Sequence, residues 1–587
     1  MKTLRNNFYI VKLFCKAAPV KVAAELALCL LRNVITVWGS IWLLRMLLEQ
    51  MEAGRGFEEL LPHLFFYLCI SGLVLLLDKI YYQYFDDIYK QKVQSRLDRM
   101  IFSKSLDIDL IRYQEPAFYD AYKRAAHCCD TVADMAYQNL LNAFGFAVML
   151  LCGSSAVLLV DKVLFLFCAF PFLASFIMRR YNKRLYAMER EITPFTRKKE
   201  YVTRTVLLKD YAREIRLTNI SRVLFRDLER ASEETQAVLH RRQRSLFWHK
   251  LLLYQTQINS IYLLNLLYMT YKVAVTGELS LADFSVAFSS VIMVVSRIRR
   301  LMENYEKAQH YSQYIEDLRQ FLRYSPGIRG GSLPPGAFES LELKNVSLSL
   351  SGKKLLRQVS FSVRRGEKVA VVGLNGSGKS TLLNVLLRLY DATEGEVLYN
   401  GVNNKSYELE AYRKRFSCLF QDFQLFDLSV IENVLCREAG GDADRAKVRS
   451  LLRAGGLYEK VSAQPRGGDT VLNREFDPDG LLLSGGERQK LAFARMMARD
   501  FDIAILDEPT AALDAVSEER LYDTIFQELS DKTVFYVTHR LSAAVRADKV
   551  LVFREGVLAE HGSHAELMRL GGLYAEMFHK QAESYLA

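Results

Sequence analysis

Nine consecutive residues, Gly373-Leu374-Asn375-Gly376-Ser377-Gly378-Lys379-Ser380-Thr381, have the types and spacing to hold a chain of phosphates. Three glycines let successive backbone N–H groups turn toward one anion, and a helix starting at the lysine would add its positive dipole end. Lys379 would then reach the β- and γ-phosphates of a nucleoside triphosphate, and the hydroxyl of Ser380 would ligate Mg²⁺. Such a loop works only between a strand and a helix. Both are present: Lys368-Val369-Ala370-Val371-Val372 precedes it as an apolar strand-like run, and Leu382-Leu383-Asn384-Val385-Leu386-Leu387 follows it as a helix-like one.

Five further segments narrow the reading. Ile503-Ala504-Ile505-Leu506-Asp507-Glu508 reads as a buried parallel strand ending in two carboxylates. Asp507 would hold Mg²⁺, and Glu508 would be the general base that orients the attacking water. Gln421 follows the strand-like Phe416-Ser417-Cys418-Leu419-Phe420, and His539 follows Val534-Phe535-Tyr536-Val537-Thr538. Leu483-Ser484-Gly485-Gly486-Glu487-Arg488-Gln489 and Ala512-Leu513-Asp514 complete the set. In this order the segments resemble the ATPase domain of the ABC (ATP-binding cassette) family, and 483–489 resembles its signature. The resemblance implies ATP and Mg²⁺ as cofactors. It makes Gln421 the glutamine that links the metal site to the membrane domain, His539 the switch histidine at the γ-phosphate, and Asp514 the D-loop aspartate. It further implies a head-to-tail dimer, in which Ser484, Gly485 and Gly486 complete a nucleotide pocket whose P-loop belongs to the second chain. Three positions depart from the family pattern: Leu350 stands where many relatives place an adenine-stacking tyrosine, Arg474-Glu475-Phe476-Asp477-Pro478-Asp479-Gly480 replaces a segment common in exporters, and Glu487 replaces a glutamine.

The elements that must position this chemistry are of two kinds. With 587 residues, 50% of them hydrophobic, the chain has long apolar runs, and candidate membrane spans lie at 20–48, 59–84, 136–160, 162–180, 250–275 and 281–300. The stretches 85–130 and 179–250 are rich in Lys and Arg, which places both loops and both termini in the cytoplasm. The net charge of +11 is thus explained by membrane topology, and no nucleic-acid-binding module accompanies it. Nine cysteines, at 15, 29, 69, 128, 129, 152, 168, 418 and 436, show no paired spacing, so a disulfide framework is not indicated. Phe8-Tyr9-Ile10-Val11, interrupted by Lys12 and Lys16, reads as an amphipathic helix on the inner leaflet. The breaker-rich 325–336 separates a membrane domain, 1–325, from an ATPase domain, 340–587, with 326–339 as linker.

In the cytosolic loops, Arg112-Tyr113-Gln114-Glu115-Pro116-Ala117-Phe118-Tyr119-Asp120 and Ala212-Arg213-Glu214-Ile215-Arg216-Leu217 resemble the coupling helices of type IV exporters, which dock on the ATPase. Polar residues within spans point to a substrate path: Gln255, Asn259, Tyr262 and Asn265 share one side of a helix, and Glu25, Arg32 and Asp78-Lys79 could face a cavity. The expected fold is an all-α six-span membrane domain with long cytosolic helices, followed by an α/β P-loop ABC ATPase domain. The expected function is ATP-driven export of a small molecule, lipid or peptide by a half-transporter in the bacterial inner membrane, paired with a second half and surrounded by lipid. An importer on the same fold is not excluded by any local motif. A soluble, non-transporting ABC ATPase is disfavoured by six candidate spans.

Overall fold

The computed structural model describes residues 2–54, 56–254, 260–350, 352–508, 522–523 and 526–586. The chain divides into two compact units, one formed by the residues up to Leu106 with Ala117–Tyr324, the other by Asp107–Pro116 with the residues from Ser325 onward.

The first unit is helical. Helix α1 (Lys2–Ala17) buries Asn6, Asn7, Ile10 and Phe14 and leaves Leu4 and Phe8 exposed; Asn6 and Asn7 donate to the Ser312 and Ala308 carbonyls. Then come α2 (Pro19–Glu52), α3 (Phe57–Leu106) and α4 (Ala121–Val160), the long α5 (Phe170–Leu207) and α6 (Ile220–Tyr254), the shorter α7 (Ser260–Ala274), and α8 (Leu281–Arg323). Among the described residues four of these, α2, α3, α4 and α8, are long and apolar enough to cross a membrane. The span expected at 162–180 opens as a 3₁₀ segment, Lys162–Ala169, and runs into α5, while the one expected at 250–275 straddles 255–259, outside the described residues. The count of six therefore rests on the sequence. Small residues let α4 and α8 approach closely: a Cβ on Gly153 would stand 3.1 Å from Val294 Cγ2.

The polar residues expected to face a cavity behave differently from one another. Glu25 is fully buried in a network instead, accepting from Lys21 Nζ at 2.8 Å and from the Tyr137 hydroxyl at 2.6 Å, while Lys21 also pairs with Asp86. A buried carboxylate is tolerable only with such partners, so Glu25 ties α2 to α3 and α4 rather than lining a path. Arg32 lies 3.6 Å from Asp78. Asn265 is fully buried, and Gln255 and Asn259 fall outside the described residues.

The second unit is α/β. Strands β1 (Ser340–Leu350), β2 (Lys353–Arg364), β3 (Lys368–Gly373), β4 (Glu394–Tyr399), β5 (Val402–Asn403), β6 (Phe416–Leu419), β7 (Ile503–Asp507), β8 (Thr533–Val537), β9 (Lys549–Arg554) and β10 (Val557–Gly562) form two sheets. An antiparallel sheet runs β2-β1-β4-β5, and a larger one runs β10-β9-β3-β8-β7-β6, parallel except at β10. The continuous apolar runs of β7 and β8 are buried at every residue, as strands covered on both faces must be. The 325–336 stretch is held to this unit: Gly331 N–H donates to Tyr407 O at 2.8 Å, and Leu333 exchanges backbone bonds with Ser406 and Glu408. Segment 107–116 belongs to the same unit because Asp109 accepts from the Gly327 and Ile328 N–H groups at 2.6 and 3.3 Å, and Ile111 packs on the core. The first expected coupling region, 112–120, is divided between a 3₁₀ segment, Leu110–Gln114, and the helix Pro116–His127, which overlaps the start of α4; the second coincides with a short helix, Ala212–Leu217.

Candidate functional site

Strand β3 ends at Gly373, and helix α9 (Lys379–Leu386) begins six residues later, so the phosphate-type loop is clamped between two rigid elements. Close packing explains two of its glycines. At Gly373, φ is +150° and a Cβ would stand 2.3 Å from Phe553 O; at Gly378, φ is +106° and a Cβ would press on Leu356 Cδ2 at 3.1 Å. Lys379 is 6% exposed and donates to Gly373 O and Leu374 O at 2.9 and 3.1 Å, so its ammonium is folded over the loop it belongs to. Burial lowers its pKa, and the nearby carboxylates of Glu508 and Asp507 oppose that shift.

Parallel pairing of β7 with β8 sets the acidic end of β7 beside the end of β8. Glu508 follows directly with φ +47°, a left-handed conformation that ordinary residues seldom adopt. Its Oε1 lies 2.5 Å from His539 Nε2. Asp507 is buried; burial raises its pKa, and a hydrogen bond from Ser380 counters the rise. Its Oδ1 is buried with no hydrogen-bond partner. An orphaned carboxylate oxygen on Asp507, which is bonded to the Ser380 hydroxyl, with Ser380 and Gln421 both lining one cavity, is an all-oxygen donor set of the kind Mg²⁺ takes. Ser380, Gln421 and Asp507 therefore fit the expected metal.

A cavity of about 800 Å³ brings the parts together, lined by Asn375, Gly376, Gly378, Lys379, Ser380 and Thr381 from the loop and by Gln421, Glu508 and His539 opposite. Ser377 is buried beneath the loop, and its hydroxyl also lacks a partner. Ser484, Gly485 and Gly486 do not line this cavity. They start helix α10 (Gly485–Met497), where Ser484 and Glu487 form a reciprocal capping box, with Ser484 N–H donating to Glu487 Oε2 at 2.7 Å. Lys460 Nζ reaches the same carboxylate at 2.6 Å, which gives the departure at Glu487 a local role. Asp514 lies outside the described residues.

The sequence reading missed the cavity's other wall. Lys353, Lys354, Leu355 and Arg357 of β2 and the Glu555-Gly556 turn close it, and Leu350 does not: it pairs with Lys353 across the hairpin and packs against the core. The cluster of cations just after Leu350 was the available signal.

Residues 356–511 match a family model described as ABC transporter. The ATP-dependent lipid A-core flippase of Paraburkholderia xenovorans (strain LB400) is 35% identical over 318 residues, covering 53% of this chain and 52% of that protein, so the chain spans about half the length of the curated flippases it matches. The subtilin transport ATP-binding protein SpaT of Bacillus subtilis is 27% identical over 538 residues, covering 89% of this chain and 84% of that protein. A solved structure of a bacterial Atm1-family ABC exporter with ATP bound superposes with a TM-score of 0.80 at 21% identity, covering 96% of this chain and 98% of the other.

Proposed function

Because the chain carries the ATPase domain of the ABC transporter family and, over nearly its whole length, the fold of an ABC exporter, we propose that it is one half of an ATP-driven exporter. The cavity carries this reading: the loop that would hold phosphates and a carboxylate–histidine pair face one another across a space of nucleotide size, and the buried carboxylate of Asp507 is hydrogen-bonded to the lining Ser380. The P-loop amides and Lys379 bind the β- and γ-phosphates, Ser380, Gln421 and Asp507 would hold Mg²⁺, and Glu508 orients water and takes its proton while His539 fixes the carboxylate. Bound Mg²⁺ would neutralise phosphate charge there.

A second half is required, because Ser484-Gly485-Gly486 sits outside the cavity of its own chain. The turn between α5 and α6 supports a partner as well: Leu207 and Leu217 are 78% and 86% exposed, an apolar tip that water disfavours. ATP shared between two chains favours their closed pair, and hydrolysis releases it, which drives alternating access of the membrane helices. Both termini and the ATPase domain face the cytoplasm of a bacterial inner membrane, and the cargo is a small molecule, lipid or peptide. Reconstituted in liposomes, the protein is expected to hydrolyse ATP only with Mg²⁺ and only as a two-chain species. Equal specific activity from isolated monomers would remove the shared sites from this reading.

A further inference from the structure

The membrane unit treats its cations in two ways. In α2, Arg45 Nε lies 2.6 Å from Glu49 and Arg32 lies 3.6 Å from Asp78. Lys21, Glu25 and Asp86 form a buried set, and the half-exposed Lys90 adds a second cation at its edge by pairing with Asp86. Helix α8 carries two cations without such acidic partners just where its apolar stretch ends. Arg297 and Arg300, one turn apart, both stack on Phe146 of α4, with guanidinium carbons 5.4 and 5.6 Å from the ring centroid. Neither has an ion-pair or hydrogen-bond partner among the described residues; the neighbouring Arg299 takes Glu303, at 3.8 Å. Arg297 Nε is buried and unpartnered.

An aromatic face offsets part of the cost of drying a guanidinium, but it supplies no counter-charge. Two cations held on one ring also repel each other, and the stretch of α4 that carries Phe146 has no charged residue from 135 to 160. Arginines that merely snorkel would extend away from the bundle toward lipid phosphates, whereas these two are folded against a neighbouring helix, one with its Nε shut off from water. Unpaired, planar donor forks at membrane depth match an oxyanion, which can accept two parallel N–H bonds from each.

We propose that Arg297 and Arg300, set on Phe146, form a phosphate-binding subsite in the membrane unit, so that the ligand of this unit carries a phosphate monoester. The identification of that ligand as cargo rests on the exporter reading above; the subsite does not. The ligand is either a lipid headgroup or a soluble phosphorylated solute.

The full-length protein in phosphatidylcholine nanodiscs, without ATP, is titrated with fluorescent phosphatidic acid. Saturable binding is expected, and it weakens as NaCl is raised because the attraction between the two guanidinium groups and the phosphate is screened. Arg297→Gln and Arg300→Gln should each weaken it about tenfold, the loss of one charge-assisted contact, while Arg297→Lys and Arg300→Lys should bind more tightly than the glutamine variants. Displacement by glucose 6-phosphate assigns a soluble source; displacement by unlabelled phosphatidic acid alone assigns a lipid. Absence of saturable binding of either probe, indifference to salt in the wild type, or equal binding by glutamine and wild-type forms overturns the subsite. Protein that binds the probe but does not hydrolyse ATP would overturn the exporter reading and leave the subsite standing.

Discussion

In the proposed mechanism hydrolysis turns on Glu508, which reaches both the cavity and His539 from a left-handed backbone that only a fixed surrounding structure sustains. Replacing it by glutamine keeps the shape and removes the proton acceptor, so the steady-state ATPase rate should fall by about 10²- to 10⁴-fold with nucleotide binding retained. Phosphate release at near the wild-type rate from purified Glu508→Gln protein would give the base role to another group. Most of the candidate site was legible because its residues act through short contiguous motifs, in which backbone geometry is dictated locally: Gly373 and Gly378 have the positive φ that the loop needs. The β2 wall was only hinted at by the cations after Leu350, since Lys353, Lys354 and Arg357 enter the cavity through tertiary packing of the P-loop on β2. That wall bears on Leu350. With leucine turned to the core and no aromatic among the described residues that line the cavity, phosphate contacts would supply most of the affinity for ATP and little would read the base. Leu350→Tyr should lower the KM for ATP several-fold with kcat little changed, base stacking being worth about 1–3 kcal/mol and acting as uniform binding. An unchanged KM in initial-rate kinetics would show that a tyrosine here does not reach the base.

At the scale of elements, periodicity and apolar runs identified the buried strands β3, β7 and β8, whose sequences admit no other placement, and the long helices α2, α3, α4 and α8. What pattern alone could not assign was partnership. Glu25 looked like a cavity residue by its position in a span, but Lys21 lies one turn away on α2, and Asp86 and Tyr137 arrive from other helices. Similarly, 107–116 reads as part of a helical loop of the first unit, yet it packs with the second through Asp109 and Ile111. Asp109→Ala removes the acceptor of two backbone N–H groups, worth roughly 1–2 kcal/mol. Amide exchange at Gly327 and Ile328 should accelerate about tenfold while the β7 and β8 amides are unaffected, since local opening is independent of the core. Unaltered exchange at those two amides would mean that Ile111 alone holds the segment.

For the molecule as a whole, the decisive question is whether one chain can complete an ATP site. Lys379 lies in the cavity, whereas Ser484 caps α10 and takes no part in lining it, so the two residues of one chain would serve different nucleotides. A dimer assembled from one Lys379→Ala chain and one Ser484→Arg chain separates the possibilities. If the sites are shared head to tail, both lesions fall in a single site, because the damaged P-loop faces the damaged signature, and the other site keeps an intact loop and an intact cap. One nucleotide per dimer should then bind tightly. If each chain used its own signature, each site would carry one lesion and neither would bind normally. Nucleotide stoichiometry measured by equilibrium dialysis on the purified mixed dimer distinguishes the two: a value near one supports shared sites, and a value near zero places Ser484 at the site of its own chain. The same preparation tests how far the dimer is held by nucleotide, since a ligand that binds only the closed pair stabilises it by mass action. Dissociation of the mixed dimer should therefore slow as ATP is raised, and dissociation insensitive to ATP would mean that the membrane helices alone hold the halves together.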